Sequence, residues 1–191
     1  MKVGLYFGSF NPIHIGHLAI ANYMVEFTDI DQLWFMVSPQ NPLKQQSTLL
    51  ADHHRYEMVY RAIADYPLFR ASNFEFSLPK PSYTINTLTH LKEKYPTHDF
   101  VLIMGTDSLA TLSKWKNYEQ LLEQFDFLVY PRPNFTGGEF VSHQNVKIIN
   151  APLMEISASF IRESVKQGKN IRAFLPTKVW EYIDEMNFYR K

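Results

Sequence analysis

Cysteine is missing from all 191 residues. That rules out a disulfide framework, a thiolate nucleophile and the cysteine-based zinc ribbons, and it fits a reducing compartment. Net charge is missing as well. The 19 basic and 19 acidic residues cancel, so no global field draws the chain to nucleic acid or to an acidic membrane surface, and any site for a polyanion must be local. No run of 18 apolar residues occurs, and Met1-Lys2-Val3 leads straight into a strand with no signal peptide ahead of it. The expectation is a cytoplasmic chain with neither a membrane nor a nucleic acid as partner. Internal repeats and low-complexity tracts are absent too.

What is present is an alternation of apolar runs and helical patterns. With 46% hydrophobic residues the chain can bury a sizeable core, and its length suits one domain spanning 1–191. Lys2–Phe7, Gln32–Val37, Phe100–Met104 and Phe125–Tyr130 are apolar enough to be covered on both faces, as strands of a parallel sheet are, and Val146–Ile149 reads as the last strand. Leu68–Phe76 reads as one or two short strands. Helical spacing starts at Ile15. A helix from His53 to about Ala64 has Asp52 as its predicted N-cap, and another has Thr84 as N-cap with Ile85, Leu88 and Leu91 turned inward. Further helices are expected from Ser108, from Ser157 to Gly168, and after Ala173-Phe-Leu-Pro176, with Pro176 in the first turn. Strand, helix, strand in this order implies right-handed parallel crossovers. The fold class is therefore α/β: a Rossmann-like, doubly wound parallel sheet with helices on both faces and a small C-terminal helical portion.

The first strand ends at Gly8-Ser9, Asn11-Pro12 punctuates the loop, and His14-Ile-Gly-His17 falls where a helix begins. A helix start presents unpaired N–H groups and about half a positive charge, which suits a phosphate. Two histidines three residues apart share a helix face and can each donate a ring N–H, while Gly16 lets a ligand approach the backbone. Seven histidines and seven glycines give roughly 0.01 chance matches to H-x-G-H. A structural zinc site is the other alternative, but no Cys or nearby H-x-x-x-H completes one. Glu155-Ile-Ser157-Ala-Ser159-Phe-Ile-Arg162 sets two hydroxyls and an arginine at another helix start, again suited to phosphate oxygens. Gly105-Thr-Asp107 lies at the carboxyl end of a strand, where open parallel sheets bind ligands. Asp107 there either meets ribose hydroxyls or caps the helix from Ser108. Lys44 lies in a polar loop, where a lysine is commonly just solvated, and Trp115 alone reads as packing or as a stacking platform.

At this point the residues carry a resemblance. Ser9-Phe-Asn-Pro-Ile-His-Ile-Gly-His17, led by Gly8, resembles the [ST]-F-[DN]-P-x-H-x-G-H signature of the nucleotidyltransferase superfamily, and Ile156-Ser-Ala-Ser-Phe-Ile-Arg162 resembles its second hallmark, I-S-x-[ST]-x-I-R. Pro81-Ser-Tyr-Thr84, Gly105-x-Asp107, Leu112-x-x-Trp115, Arg132-Pro133 and Phe174-Leu-Pro176 extend the likeness along the chain, which is similar throughout to bacterial nicotinate-nucleotide adenylyltransferases.

The resemblance implies transfer of AMP from ATP to nicotinate mononucleotide, with Mg²⁺ bound through the ATP phosphates and no protein metal site. It implies His14, His17 and Arg162 as catalytic residues, with Gly8, Ser9, Phe10, Gly16, Ser157, Ser159 and Arg132 at ATP. Lys44, Thr84, Gly105, Asp107 and Trp115 would be at the pyridine nucleotide. The chain departs from the pattern at Leu43, where many relatives have His, at Asn134, where Gly is common, and at Ser159, where Thr is usual.

A Rossmann oxidoreductase would want G-x-G-x-x-G after the first strand, which is not there. A sister adenylyltransferase acting on nicotinamide mononucleotide or phosphopantetheine stays open, as does a non-catalytic nucleotide-binding module. A homo-oligomer is neither required nor excluded.

Overall fold

β1 (Lys2–Gly8) runs up the middle of the sheet. β2 (Gln32–Val37) lies on one side of it and β4 (Asp99–Gly105) on the other, both parallel to it. The computed structural model describes residues 1–39 and 49–190. With β3 (Phe69–Ser72), β5 (Asp126–Tyr130) and β6 (Val146–Ile148) it forms a six-stranded sheet of order β3-β2-β1-β4-β5-β6, parallel at every pairing. The chain thus builds outward from β1 to β3, crosses back, and builds outward again from β4. This is the doubly wound Rossmann order. Its switch point, between β1 and β4, opens a crevice at the carboxyl ends of those strands.

Strand alternation sends the apolar runs to both faces. Tyr6, Leu33, Phe35 and Val37 face one core, which also takes Ile20 and Met24 of α1 (Ile15–Phe27), Met58 and Val59 of α2 (Asp52–Ala62), and Ile161 of α6 (Ala158–Lys166). Val179 and Ile183 of α7 (Thr177–Glu185) enter the same core, so the C-terminal helical portion is continuous with it. Val3, Leu5, Trp34 and Met36 face the other core. It is covered by α3 (Thr84–Lys94), α4 (Thr106–Leu109) and α5 (Tyr118–Gln124). Runs that would look overlong for a one-sided strand are explained by helices on both sides. No helix of the described residues is long and apolar enough to cross a membrane.

Several helix starts differ by one or two residues from the sequence-based expectation. Asp52 is the first residue of α2 and Ala51 its N-cap, because the carboxylate bonds to Arg55 at 2.7 Å and Lys80 at 3.0 Å instead of to backbone. Thr84 opens α3, whose N-cap is Tyr83. Gly105 holds the cap position of α4, which leaves the Asp107 carboxylate directed elsewhere. Pro176 precedes α7 as its N-cap rather than lying inside it. Phe74–Ser77 forms a 3-10 turn where a second short strand was expected. Glu75 turns inward there and accepts a 2.6 Å bond from the Thr87 hydroxyl.

The segment after β2 was expected to bring Lys44 to the site; Lys44 and Leu43 lie outside the described residues. The flanks of that segment are fixed by Arg55, a fully buried side chain. Its guanidinium donates to the carbonyls of Ser9 (2.6 Å), Ser38 (2.8 Å), Pro39 (3.1 Å) and Leu50 (2.9 Å), tying the ends of β1 and β2 together. In sequence this arginine falls in a segment read only as helical.

Candidate active site

Immediately after Gly8 the chain makes a tight excursion that sets the histidines. Phe10 takes a left-handed backbone (φ +45°), with its side chain buried. Its ring lies over Gly8, where a Cβ would meet it at 2.8 Å, so the glycine makes room for the phenyl ring. That ring in turn stands edge-on to His17, with centroids 5.2 Å apart.

His14 is the N-cap residue of α1, and its backbone N–H donates to Nδ1 of His17 at 3.2 Å. A neutral His17 with Nδ1 as acceptor carries its proton on Nε2, so the helix start sets the tautomer as well as the ring position. The two imidazoles stack at 3.7 Å. Gly16 has a role beyond ligand access: a Cβ there would stand 3.1 Å from Nδ1 of His14, so the bare backbone is what lets the ring lie flat against the helix start.

His14 is only 4% exposed, and its Nδ1 is a buried polar atom with no hydrogen-bond partner among the described residues. Burial, reinforced by the nearby Arg132 guanidinium, lowers its pKa to about 4. A histidine in the unfolded chain titrates near 6.5. As pH falls from 6.5 towards 4, the unfolded state therefore takes up a proton that the folded state refuses, and stability declines across that window. Between pH 7 and pH 5 the ligand-free protein should lose about 2 kcal/mol from this group. The His14→Gln variant should lose correspondingly less, as read from urea midpoints at the two pH values.

The facing wall is the start of α6. Ser157 is its N-cap, and its Oγ accepts the Phe160 N–H at 3.1 Å, leaving the hydroxyl hydrogen available to donate. One turn on, Arg162 donates through Nη1 to the carbonyl of Asn11 at 2.8 Å and through Nη2 to Ser159 Oγ at 3.2 Å. The arginine is thus docked on the loop that carries the histidines.

The third wall comes from the ends of β4 and β5. Arg132 is held by a backbone bond to Thr106 Oγ1 (2.9 Å) and by Nη1 on the Met154 carbonyl (3.3 Å), and its Nε lies 4.0 Å from Asp107 Oδ1. Gly105 beneath them has no room for a side chain: a Cβ would come within 2.4 Å of Asp107 Oδ1 and 2.7 Å of Arg132 Cγ. The hydroxyls of Tyr6 and Tyr130 meet at 3.1 Å on the floor, and burial raises both pKa values, so both remain neutral.

These walls enclose a cleft of about 370 Å³. Its lining brings together His14, His17, Arg162, Gly8, Ser9, Phe10, Gly16, Ser157, Ser159, Arg132 and Asp107. Gly105, Thr84 and Trp115 do not line it. Trp115 is half-buried against the core shared by Leu88 and Leu112, beside a turn whose Lys116 ammonium sits 4.6 Å over the ring of Tyr83. The α3 start and the Trp115–Lys116 turn are therefore neighbours, outside the set of residues that line the cleft. Sequence reasoning missed Asn11, Tyr6 and Tyr130, which also line the cleft. Asn11 was visible only as a loop residue, and the tyrosines only as members of apolar strands.

Residues 5–164 match the family model described as cytidylyltransferase-like. Over 193 aligned positions, all of both chains, the sequence is 58% identical to a protein of Flavobacterium johnsoniae described as "probable nicotinate-nucleotide adenylyltransferase". It is 48% identical to a protein of the same description from Bacteroides thetaiotaomicron, with 97% of this chain and 92% of that one covered. Among solved structures it resembles the Plasmodium falciparum nicotinic acid mononucleotide adenylyltransferase complexed with NaAD, at a TM-score of 0.84. That likeness has 23% identity, covers 98% of this chain and 97% of the other, and is one of fold.

Proposed function

The chain belongs to the nicotinate-nucleotide adenylyltransferases of the cytidylyltransferase-like superfamily, and on that premise we propose how its cleft carries out the reaction. AMP passes from ATP to nicotinate mononucleotide, giving nicotinate adenine dinucleotide and pyrophosphate, a step of NAD biosynthesis. The observation that carries the proposal is the convergence of two helix starts on one cleft, with Arg162 of α6 bonded at 2.8 Å to the loop that carries His14 and His17.

Two phosphate-bearing substrates bring several negative charges into this space. The cleft meets them with the N-termini of α1 and α6, the imidazoles of His14 and His17 and the guanidiniums of Arg132 and Arg162. The phosphate monoester of the mononucleotide is already anionic at neutral pH, so it needs no general base. Its oxygen attacks the α-phosphorus of ATP, the bond to the bridging oxygen breaks, and pyrophosphate leaves with the electron pair. Catalysis is then positioning and electrostatic stabilisation of the transferring group. His14, recessed and uncharged, faces the nucleotide phosphates. His17 Nε2–H and the Arg162 guanidinium contact the oxygens that gain charge in the transition state. Ser157, Ser159 and the Gly8–Phe10 backbone complete the ATP side, and Gly16 keeps His14 in place.

The donor set of the cleft suits phosphate oxygens. Among the described residues no group of three or more His, Asp or Glu could hold a metal ion. Mg²⁺ is proposed, on the family likeness, as an ion carried by the ATP phosphates, where it would neutralise charge on the leaving pyrophosphate. Asp107 is placed to accept from ribose hydroxyls, its carboxylate steadied by Arg132. The pyridine end is assigned to the neighbouring Thr84 and Trp115, and Lys44, which lies outside the described residues, is assigned to the substrate phosphate by the family likeness alone.

A direct displacement inverts configuration at the α-phosphorus. With ATP chiral at that phosphorus through a sulfur substitution, the dinucleotide should form with inversion, one pyrophosphate being released per dinucleotide. Retention would mean a covalent adenylyl-enzyme and would overturn this mechanism.

A further inference from the structure

After α7 the chain doubles back on itself. Asn187 and Tyr189 both take left-handed backbone angles (φ +53° and +63°), and the Phe188 N–H bonds to the Ile183 carbonyl at 3.0 Å. The Phe188 ring then packs edge-on against His54 (4.8 Å) and Tyr182 (5.6 Å). This brings the Tyr189 hydroxyl to the catalytic loop, where it donates to Oδ1 of Asn11 at 2.8 Å across 178 residues of sequence.

Asn11 is a junction. Its Oδ1 also accepts the Leu50 N–H at 3.3 Å, and its backbone carbonyl accepts Nη1 of Arg162 at 2.8 Å. Asn11 itself is 4% exposed. Tyr189 is not among the residues lining the cleft. Its ring packs against the main core, which explains the ring but not the hydroxyl, since a phenylalanine would fill the same space. The hydroxyl is explained by what it holds. Burial raises its pKa, so it remains a donor throughout the working pH range.

We propose that Tyr189 is a positioning residue for adenylyl transfer: its hydroxyl fixes the Asn11 side chain, and the Asn11 carbonyl in turn fixes the guanidinium of Arg162. The role rests on the transfer chemistry proposed above, and it makes the segment after α7 part of the active-site support. Losing one buried neutral hydrogen bond while Leu50 N–H still holds Asn11 should loosen this junction without dissolving it.

The test is Tyr189→Phe in two backgrounds. In the otherwise unsubstituted protein kcat should fall about tenfold, with KM for ATP and for nicotinate mononucleotide changed less than about twofold. In an Arg162→Ala background the same substitution should leave the residual kcat unchanged, because the group it acts through is gone. A tenfold loss in both backgrounds would mean a merely structural role, and no loss in the first would equally overturn the proposal. Hydrogen exchange gives a readout that needs no turnover: amides from Asn11 to Leu18 should exchange faster in Tyr189→Phe while those of β1 and β4 do not. Should the unsubstituted protein fail to turn over, the transfer reading falls, and this exchange pattern alone decides whether the hydroxyl holds the loop.

Discussion

His17→Ala should turn over at least about 10²-fold more slowly than the unsubstituted protein while keeping its fold. The expectation rests on preorganisation. Nδ1 of His17 accepts the His14 backbone N–H at 3.2 Å, which leaves Nε2 as the donor nitrogen, and the flanking rings of His14 and Phe10 hold that donor in one direction. A fixed donor aimed at developing negative charge contributes about 2.7–4 kcal/mol to transition-state stabilisation, a factor of 10²–10³ in rate. KM should change much less, because the contact strengthens only as charge builds up. The helix start itself survives the substitution, since the backbone bond from His17 N–H to the His14 carbonyl (3.0 Å) does not involve the side chain. Circular dichroism and the urea midpoint would verify that. A variant working at near the original rate would reduce His17 to a helix-start residue.

That histidine was legible in the sequence because its signal is local: two imidazoles, a glycine and a helix start within four residues. The same holds for Ser157, whose capping bond to the Phe160 N–H needs nothing beyond its own helix. The sheet class was legible too, since uninterrupted apolar runs separated by helical patterns leave few alternatives to a doubly wound parallel sheet.

What could not be read was long-range. Arg55 falls in a segment read only as helical, yet it is buried with four backbone carbonyls and Asp52 around it, and those carbonyls belong to loops that only the folded sheet brings together. Tyr189 and Asn11 meet across nearly the whole chain. Gly16 was read as a place for close ligand approach; it lines the cleft, and its closeness to the His14 ring, 3.1 Å from an added Cβ to Nδ1, was a further feature only the fold shows. Helix starts shifted by one or two residues, and at one of them a side-chain partner accounts for it. At α2 the Asp52 carboxylate prefers Arg55 and Lys80.

Nicotinate mononucleotide should be used in preference to nicotinamide mononucleotide by a factor on the order of 10² or more. The proposed pyridine site at Thr84 and Trp115 accounts for that preference. The start of α3 at Thr84 offers backbone N–H groups, and the Trp115–Lys116 turn is brought beside it by the Lys116 ammonium over Tyr83. A carboxylate accepts from such donors with both oxygens. An amide must turn its NH₂ towards them and leaves buried N–H groups unpaired at about 1–3 kcal/mol each, so two mismatches suffice for that factor. Stacking on Trp115 does not distinguish the rings, so Trp115→Ala should raise KM for both mononucleotides alike and leave the selectivity intact. The most direct test is pyrophosphate release from ATP and Mg²⁺, with kcat/KM compared across nicotinate mononucleotide, nicotinamide mononucleotide, phosphopantetheine and glycerol phosphate. Nicotinate mononucleotide should be used fastest, with the amide about 10²-fold or more behind and the non-pyridine acceptors inactive. Equal use of acid and amide, or turnover with phosphopantetheine or glycerol phosphate and none with a pyridine nucleotide, would contradict the assignment.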